Sequence, residues 1–221
     1  MKDDNPSCIF PAVNWAIITS CFIIFIIQVS SGLGFKQMVE TYGLNPYKVV
    51  HGGAYYTFFT SMFLHGGLIH LAGNMLYLYI FGDNIEDMCG HGLYLLFYLT
   101  CGIIASATYL FTSWNLDLPA IGASGAISGI LGGYVRRFPK ARILTAIPYI
   151  FIIRVVWAPA YLIIGIWFLY QFILAFIAPE TGVAYWAHIG GFIAGLILAD
   201  AFTRRKHLHP LHAYKIYRIP S

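Results

Sequence analysis

Ser124 lies in the run Gly122-Ala123-Ser124-Gly125 at the head of an apolar segment, while two other apolar segments carry His70 with Asn74, and His188. A serine hydroxyl is a poor nucleophile until a base takes its proton, and a neutral histidine within hydrogen-bond reach is the usual base. Ser124 is therefore the candidate nucleophile and His188 the candidate base. A tetrahedral intermediate also needs donors aimed at its oxyanion, which the Ser124 N–H, the Asn74 amide and the His70 imidazole could supply. A helix starting at Ser124 would add free N–H groups and the positive end of its dipole. Taken singly, a serine in an apolar helix more often bonds back to its own carbonyls and does no chemistry. The question is whether three separate segments bring these groups together.

The segments are too apolar for a water-soluble domain. The chain is 59% hydrophobic and 10% charged, with mean hydropathy +0.71, against roughly 25% charged residues in a soluble domain. This composition indicates an all-α, polytopic membrane protein. Apolar runs place six spans at about residues 13–31, 68–81 (extending toward 88), 93–112, 120–135, 160–177 and 184–201. The first follows only a short segment without a cleavage site and is expected to be retained. Residues 32–67 are broken by glycine and proline yet rich in Tyr, Phe, Met and Leu, which suits a long, partly helical loop in the interfacial zone. Residues 143–158 are apolar but hold Pro148 and Arg154 and fall short of the ~20 residues a span needs; an interfacial or re-entrant segment is expected there. The resulting organisation is a cytoplasmic N-terminal segment over 1–12, a six-helix domain over 13–202 and a basic cytoplasmic tail over 203–221.

Charge tests the span count independently. With the N-terminus in the cytoplasm, eleven of the thirteen Lys and Arg fall in cytoplasmic segments and only Lys36 and Lys48 outside, which satisfies the positive-inside rule. A seventh crossing would send the basic tail outside. Spans two, four and six then run in one direction, and depth can be counted from their charged ends. Ser124 lies twelve residues before Arg136, His188 twelve before Asp200, and His70 thirteen before Asp83. At ~1.5 Å per residue all three sit roughly 18 to 20 Å from the cytoplasmic edge, so the polar groups share one layer. His70 and Asn74, four apart, share a helix face. Gly125, Gly129, Gly132 and Gly133 in span four and Gly191 and Gly195 in span six let backbones touch, and the histidine face of span six is also its smooth face.

Other conspicuous residues suggest no chemistry. The four cysteines have no metal or redox spacing, and no disulfide, metal or cofactor is inferred. The charge of +4 lacks the basic run with exposed aromatics that nucleic acid would need. Glu86 is expected to order a loop at a helix end, His65 to shape the turn or cavity floor before span two, and His51 and His91 to be loop residues. His207, His209 and His212 read as part of a solvated tail. There is no His-Glu-x-x-His for zinc and no aspartate pair inside spans.

These residues resemble the rhomboid intramembrane serine proteases. The resemblance runs from about residue 55 to 198 and is carried by four ordered blocks. They are Phe63-Leu64-His65-Gly66-Gly67-Leu68-Ile69-His70-Leu71-Ala72-Gly73-Asn74-Met75, the Gly82 to Gly90 stretch with Glu86 inside it, Gly122-Ala123-Ser124-Gly125, and Ala187-His188-Ile189-Gly190-Gly191 with Gly195. It implies a Ser124–His188 dyad without a catalytic carboxylate, oxyanion stabilisation by His70, Asn74 and the Ser124 backbone, and close packing at Gly122, Gly125, Gly191 and Gly195. Two places depart from the pattern. Tyr56 and Thr57 stand where many rhomboids carry Trp-Arg, implying a different anchor for the first loop. Ser128 stands where some members have an aromatic ring supporting the imidazole; a hydroxyl offers no ring face, though a hydrogen bond could substitute.

The function implied is endoproteolysis of single-pass transmembrane substrates in the lipid bilayer near its outer face, through an acyl-enzyme. A helix resists cleavage because its carbonyls are bonded internally, so substrates should carry Gly, Pro or other helix-weakening residues near the cut. Span five, flanked by Pro159 and Pro179, and the loop over 178–184 are the candidate gate. The compact chain suits a prokaryotic plasma membrane, with both termini cytoplasmic. Two other classes fit less well: an inactive rhomboid-like binder or chaperone of transmembrane helices, which would typically lack the dyad, and a transporter, which would more often show repeated halves or acidic coupling residues.

Overall fold

The computed structural model describes residues 2–32, 34–149, 152–178 and 181–204. The fold is mostly helical, and among the described residues four helices are long and apolar enough to cross a membrane: α1 (Ala12–Ser30), α7 (His91–Thr112), α9 (Ala160–Ile177) and α10 (Tyr185–Phe202). Their outward faces are apolar. Phe22, Ile23, Ile26 and Ile27 on α1 and Ile166, Leu169, Phe172, Phe176 and Ile177 on α9 are exposed, a surface that lipid covers and water would not tolerate.

Two shorter elements fill the centre. α5 (Leu68–Tyr77) continues through a π turn at Leu78–Gly82 into α6 (Asp83–Cys89) without a break. The π turn has a local cause. Asn14 of α1 is buried against it, its Nδ2 donating to Leu78 O at 2.9 Å while its Oδ1 accepts from the Tyr94 hydroxyl at 2.7 Å. An inserted side chain that satisfies a freed carbonyl is a usual origin of such a bulge. α8 (Ser124–Arg137) is the innermost helix, packed along α10 and α7 and touching α5, α6 and α9.

The α8–α10 pairing follows from small residues. A Cβ on Gly191 would fall on Gly125 O, one on Gly195 on Gly129 O, and one on Gly132 on Phe192 O. Only glycine permits backbones this close. At the far end the Asp200 carboxylate accepts from Arg136 Nε at 3.0 Å and from Arg137 at 3.1 Å. The two helices therefore run parallel and in register from Ser124 and His188 to Arg136 and Asp200. Counting residues from the charged ends predicts this alignment, because helical rise is constant.

The loop before α5 is partly helical, with α2 (Phe35–Tyr42), α3 (Pro46–Gly52), α4 (Thr57–Thr60) and a 3₁₀ turn at Ser61–Phe63. Tyr56 donates its hydroxyl to Thr41 O at 2.9 Å, and Thr57 turns its own back to Ala54 O at 2.6 Å. Asn45 caps α3 by accepting from Lys48 N and donates to Asp117 at 2.7 Å, while Leu44 bridges to Ala120. The loop is thus tied to the segment that leads into Ser124.

The departure from an all-α chain is a three-stranded antiparallel sheet. β2 (Arg142–Tyr149) pairs with β3 (Ile152–Pro159) in register from Arg142↔Pro159 to Tyr149↔Ile152, and β1 (Lys2–Asp3) adds along β2. The stretch over 143–158, read from its apolarity as interfacial or re-entrant, supplies the two long strands. They are rich in Ile, Val and Thr, side chains whose branching favours a pleated strand. The basic tail beyond 204, with His207, His209 and His212, lies outside the described residues, as does Pro179.

Candidate active site

Ser124 is the first residue of α8, and the turn that presents it depends on Gly122. That residue has φ +123°, and a Cβ there would lie 2.9 Å from the His70 ring. The left-handed backbone and the close imidazole both demand glycine. The Gly122 N–H is fixed by Ser61 O at 2.9 Å. As the first helical residue, Ser124 has an N–H without an intrahelical acceptor.

Ser124 Oγ and His188 Nε2 are 2.8 Å apart, and His188 Nδ1 lies 2.8 Å from Gln171 Oε1. An amide oxygen only accepts, so Nδ1 carries the proton and donates to Gln171, leaving the Nε2 lone pair to accept from the Ser124 hydroxyl. This is the arrangement in which a serine proton can be taken up. Trp167 and Tyr185 flank the imidazole at ring centroid separations of 6.2 and 6.4 Å. Ser128 does not hold it: its hydroxyl donates to Ser124 O at 2.6 Å, back into its own helix.

His70 and Asn74 face the same space from α5. His70 Nδ1 accepts from the Gly66 N–H at 3.2 Å, which leaves the proton on Nε2, beside Gly122. Asn74, buried, donates one amide proton to His70 O at 3.1 Å and retains a second. His65 is fully buried edge-on to His70, ring centroids 5.3 Å apart. Burial, with His70 beside it, pushes its imidazole down to about 4, so it packs as a neutral ring. Its main chain is clamped by Gln28 of α1, which donates to His65 O at 3.0 Å and accepts from His65 N at 3.2 Å.

A cavity of about 640 Å³ joins these groups. α5 lines one side with His70, Asn74 and Tyr77, and α9 the other with Trp167, Tyr170, Gln171 and Leu174; Ser124 and His188 form its base. Its size suits a short stretch of unwound peptide. Glu86 stands well apart from this cavity. Fully buried, it accepts from the N–H groups of Val13 at 2.9 Å and Asn14 at 2.7 Å and meets His91 Nδ1 at 2.5 Å. It is a cap for the N-terminus of α1, where a carboxylate is favoured.

Gln171 is the site residue that sequence reasoning missed. The signal was available: it is a polar side chain in an otherwise apolar span, eleven residues after Ala160, at a depth comparable to that of Ser124 and His188.

A family model described as the Rhomboid domain matches residues 52–205. The rhomboid protease GluP of Bacillus subtilis is 29% identical over 188 residues, covering 84% of this chain and 33% of that protein. RHOMBOID-like protein 4 of Arabidopsis thaliana is 30% identical over 187 residues, covering 80% of this chain and 44% of that protein. The mitochondrial Rhomboid protein 1 of Saccharomyces cerevisiae is 32% identical over 149 residues, 62% of this chain and 39% of that protein. The chain spans less than half the length of these relatives. Because the matched stretch carries α5, α8 and α10 with Ser124, His70, Asn74 and His188, the chain belongs to the rhomboid family, generally intramembrane serine proteases, and is an integral membrane protein.

Proposed function

We propose that the protein is an intramembrane serine endopeptidase that cleaves transmembrane segments of other membrane proteins, with Ser124 as nucleophile and His188 as base. The observation that carries this is the 2.8 Å approach of Ser124 Oγ to His188 Nε2 with Nδ1 already engaged. Ser124 Oγ attacks the substrate carbonyl carbon as its proton passes to His188 Nε2. The Ser124 N–H, His70 Nε2–H and the free Asn74 amide proton stabilise the resulting oxyanion. The C–N bond breaks, the leaving amine takes the proton from Nε2, and the acyl group stays on Oγ. Water then attacks with His188 as base, the C–Oγ bond breaks, and Ser124 regains its proton.

In this reading the run over 68–89 and α8 complete six crossings with the four long helices, the 13–202 stretch forms the protease domain, and both termini lie in the cytoplasm. The plasma membrane of a prokaryote is the proposed location. The cavity opens between α5 and α9 near the outer face, and substrates are single-pass helices weakened by Gly or Pro near the cut. Gly125, Gly191 and Gly195 keep the dyad helices in contact, and Gly122 lets the turn before Ser124 pass close to the His70 ring.

Cleavage of a reconstituted model transmembrane substrate by the wild type, Ser124→Ala and His188→Ala tests the proposal. Loss of cutting in both variants is expected. Cutting that survives Ser124→Ala overturns the dyad, and absence of cutting by the wild type across several substrates moves the weight to a binder or chaperone of transmembrane helices.

A further inference from the structure

We infer that Gln171 is a positioning residue for His188, fixing the tautomer that the reaction needs and making the base depend on the seating of α9. The inference rests on the protease reading above, with His188 as base. His188 has two ring nitrogens, and only the form protonated on Nδ1 leaves Nε2 free to accept from Ser124. No carboxylate lies at this depth in the sequence to favour that form. Gln171 supplies the missing preference. Its Oε1, 2.8 Å from Nδ1, accepts the Nδ1 proton and so stabilises the productive tautomer. The side chain is itself buried, and an amide is seldom carried in the middle of an apolar helix without a partner or a purpose.

The bond also crosses from α10 to α9. α9 forms one wall of the cavity, through Trp167, Tyr170, Gln171 and Leu174, and its other face is exposed. When α9 moves outward the acceptor moves with it, and His188 loses the group that orients its ring. The dyad is then set only with α9 seated against the bundle. A neutral amide suits this task. It orients the imidazole without burying a charge, and it breaks from its partner at lower cost than a carboxylate would.

The test uses the full chain in bilayers with a model transmembrane substrate, comparing the wild type with Gln171→Leu and Gln171→Glu. Leucine keeps the bulk without an acceptor and suits an apolar helix, so folding is not at risk; glutamate restores an acceptor. Gln171→Leu is expected to lower kcat about 100-fold with little change in KM, and Gln171→Glu to recover most of the rate. A second readout needs no turnover: ¹⁵N signals of His188, assigned as those absent in His188→Ala, should report a proton held on Nδ1 in the wild type and shared between both nitrogens in Gln171→Leu. An unchanged kcat in Gln171→Leu, a loss confined to KM, or the same ¹⁵N signals in both proteins overturns the inference. A wild type that cuts nothing while its ¹⁵N signals show Nδ1 protonated would instead overturn the protease reading and leave the positioning contact standing.

Discussion

Gly191→Ala adds one methyl group three residues from His188, and the structure gives its effect a size. The new Cβ would fall on Gly125 O, 3.1 Å from Gly125 C and 3.3 Å from Ala105 Cβ. The obstruction is backbone and has no rotamer to escape into, so the helices must part. Restoring an ordinary carbon–oxygen contact of about 3.3–3.6 Å requires about 1.2–1.5 Å of separation. Ser124 Oγ and His188 Nε2, now 2.8 Å apart, would then stand at about 4 Å, outside hydrogen-bond range. A misplacement of that order costs about 100-fold in kcat, or about 2.7 kcal/mol of barrier. The overpacking itself costs about 1–3 kcal/mol of stability. The assay is substrate cleavage in bilayers beside thermal unfolding in detergent, with Gly92→Ala as control because a Cβ there meets nothing within 4 Å. If Gly191→Ala cuts at the wild-type rate, the glycine contact does not set the dyad distance and the reasoning fails.

Removing the buried cap with Glu86→Ala strips acceptors from Val13, Asn14 and His91 and should destabilise the protein by about 3 kcal/mol, read as a lowered unfolding midpoint. Asn45→Ala loses both the α3 cap and the bond to Asp117, and a drop of about 1–2 kcal/mol is expected. Burial pushes the Asp3 carboxyl up to about 6, against the hydroxyl of Tyr134 that donates to it, with Asp83 and Asp4 nearby raising it further. Because the folded value lies above the ordinary 3.8, the fold prefers the protonated acid; that contribution is full below about pH 4 and lost as pH rises through about 6. Exchange of the Asp4 amide, bonded to Arg142 O, should therefore be better protected at pH 5 than at pH 7.5 after correction for intrinsic rates. Asp3→Asn should remove the difference, and equal protection in the wild type at both values would contradict it.

What could be read from the sequence was whatever depends on fixed helical geometry. The rise per residue put Ser124, His188 and His70 in one layer, and the paired ends of α8 and α10 at Asp200 bear the same alignment. Glycines at 125, 129, 191 and 195 named the faces that touch, because absence of a side chain is itself the signal. The misses depend on partners. Apolarity at 143–158 suggested an interfacial or re-entrant segment and left its secondary structure unread: β-branched residues there become paired strands once Lys2–Asp3 and the two arms find one another. The π turn needs Asn14 from another helix, and Gln171 gains its meaning only when α9 folds against His188. What holds the imidazole could not be read from Ser128, whose hydroxyl bonds back to Ser124 O one turn away.

The most direct measurement is covalent capture of the nucleophile, which needs no knowledge of the substrate. The full chain in bilayers would be treated with a fluorophosphonate, which reacts with activated serine, and the modified residue located by mass spectrometry. A single adduct on Ser124 that disappears in His188→Ala is the predicted result. No adduct, an adduct on another serine, or labelling of Ser124 that persists without His188 would contradict the account.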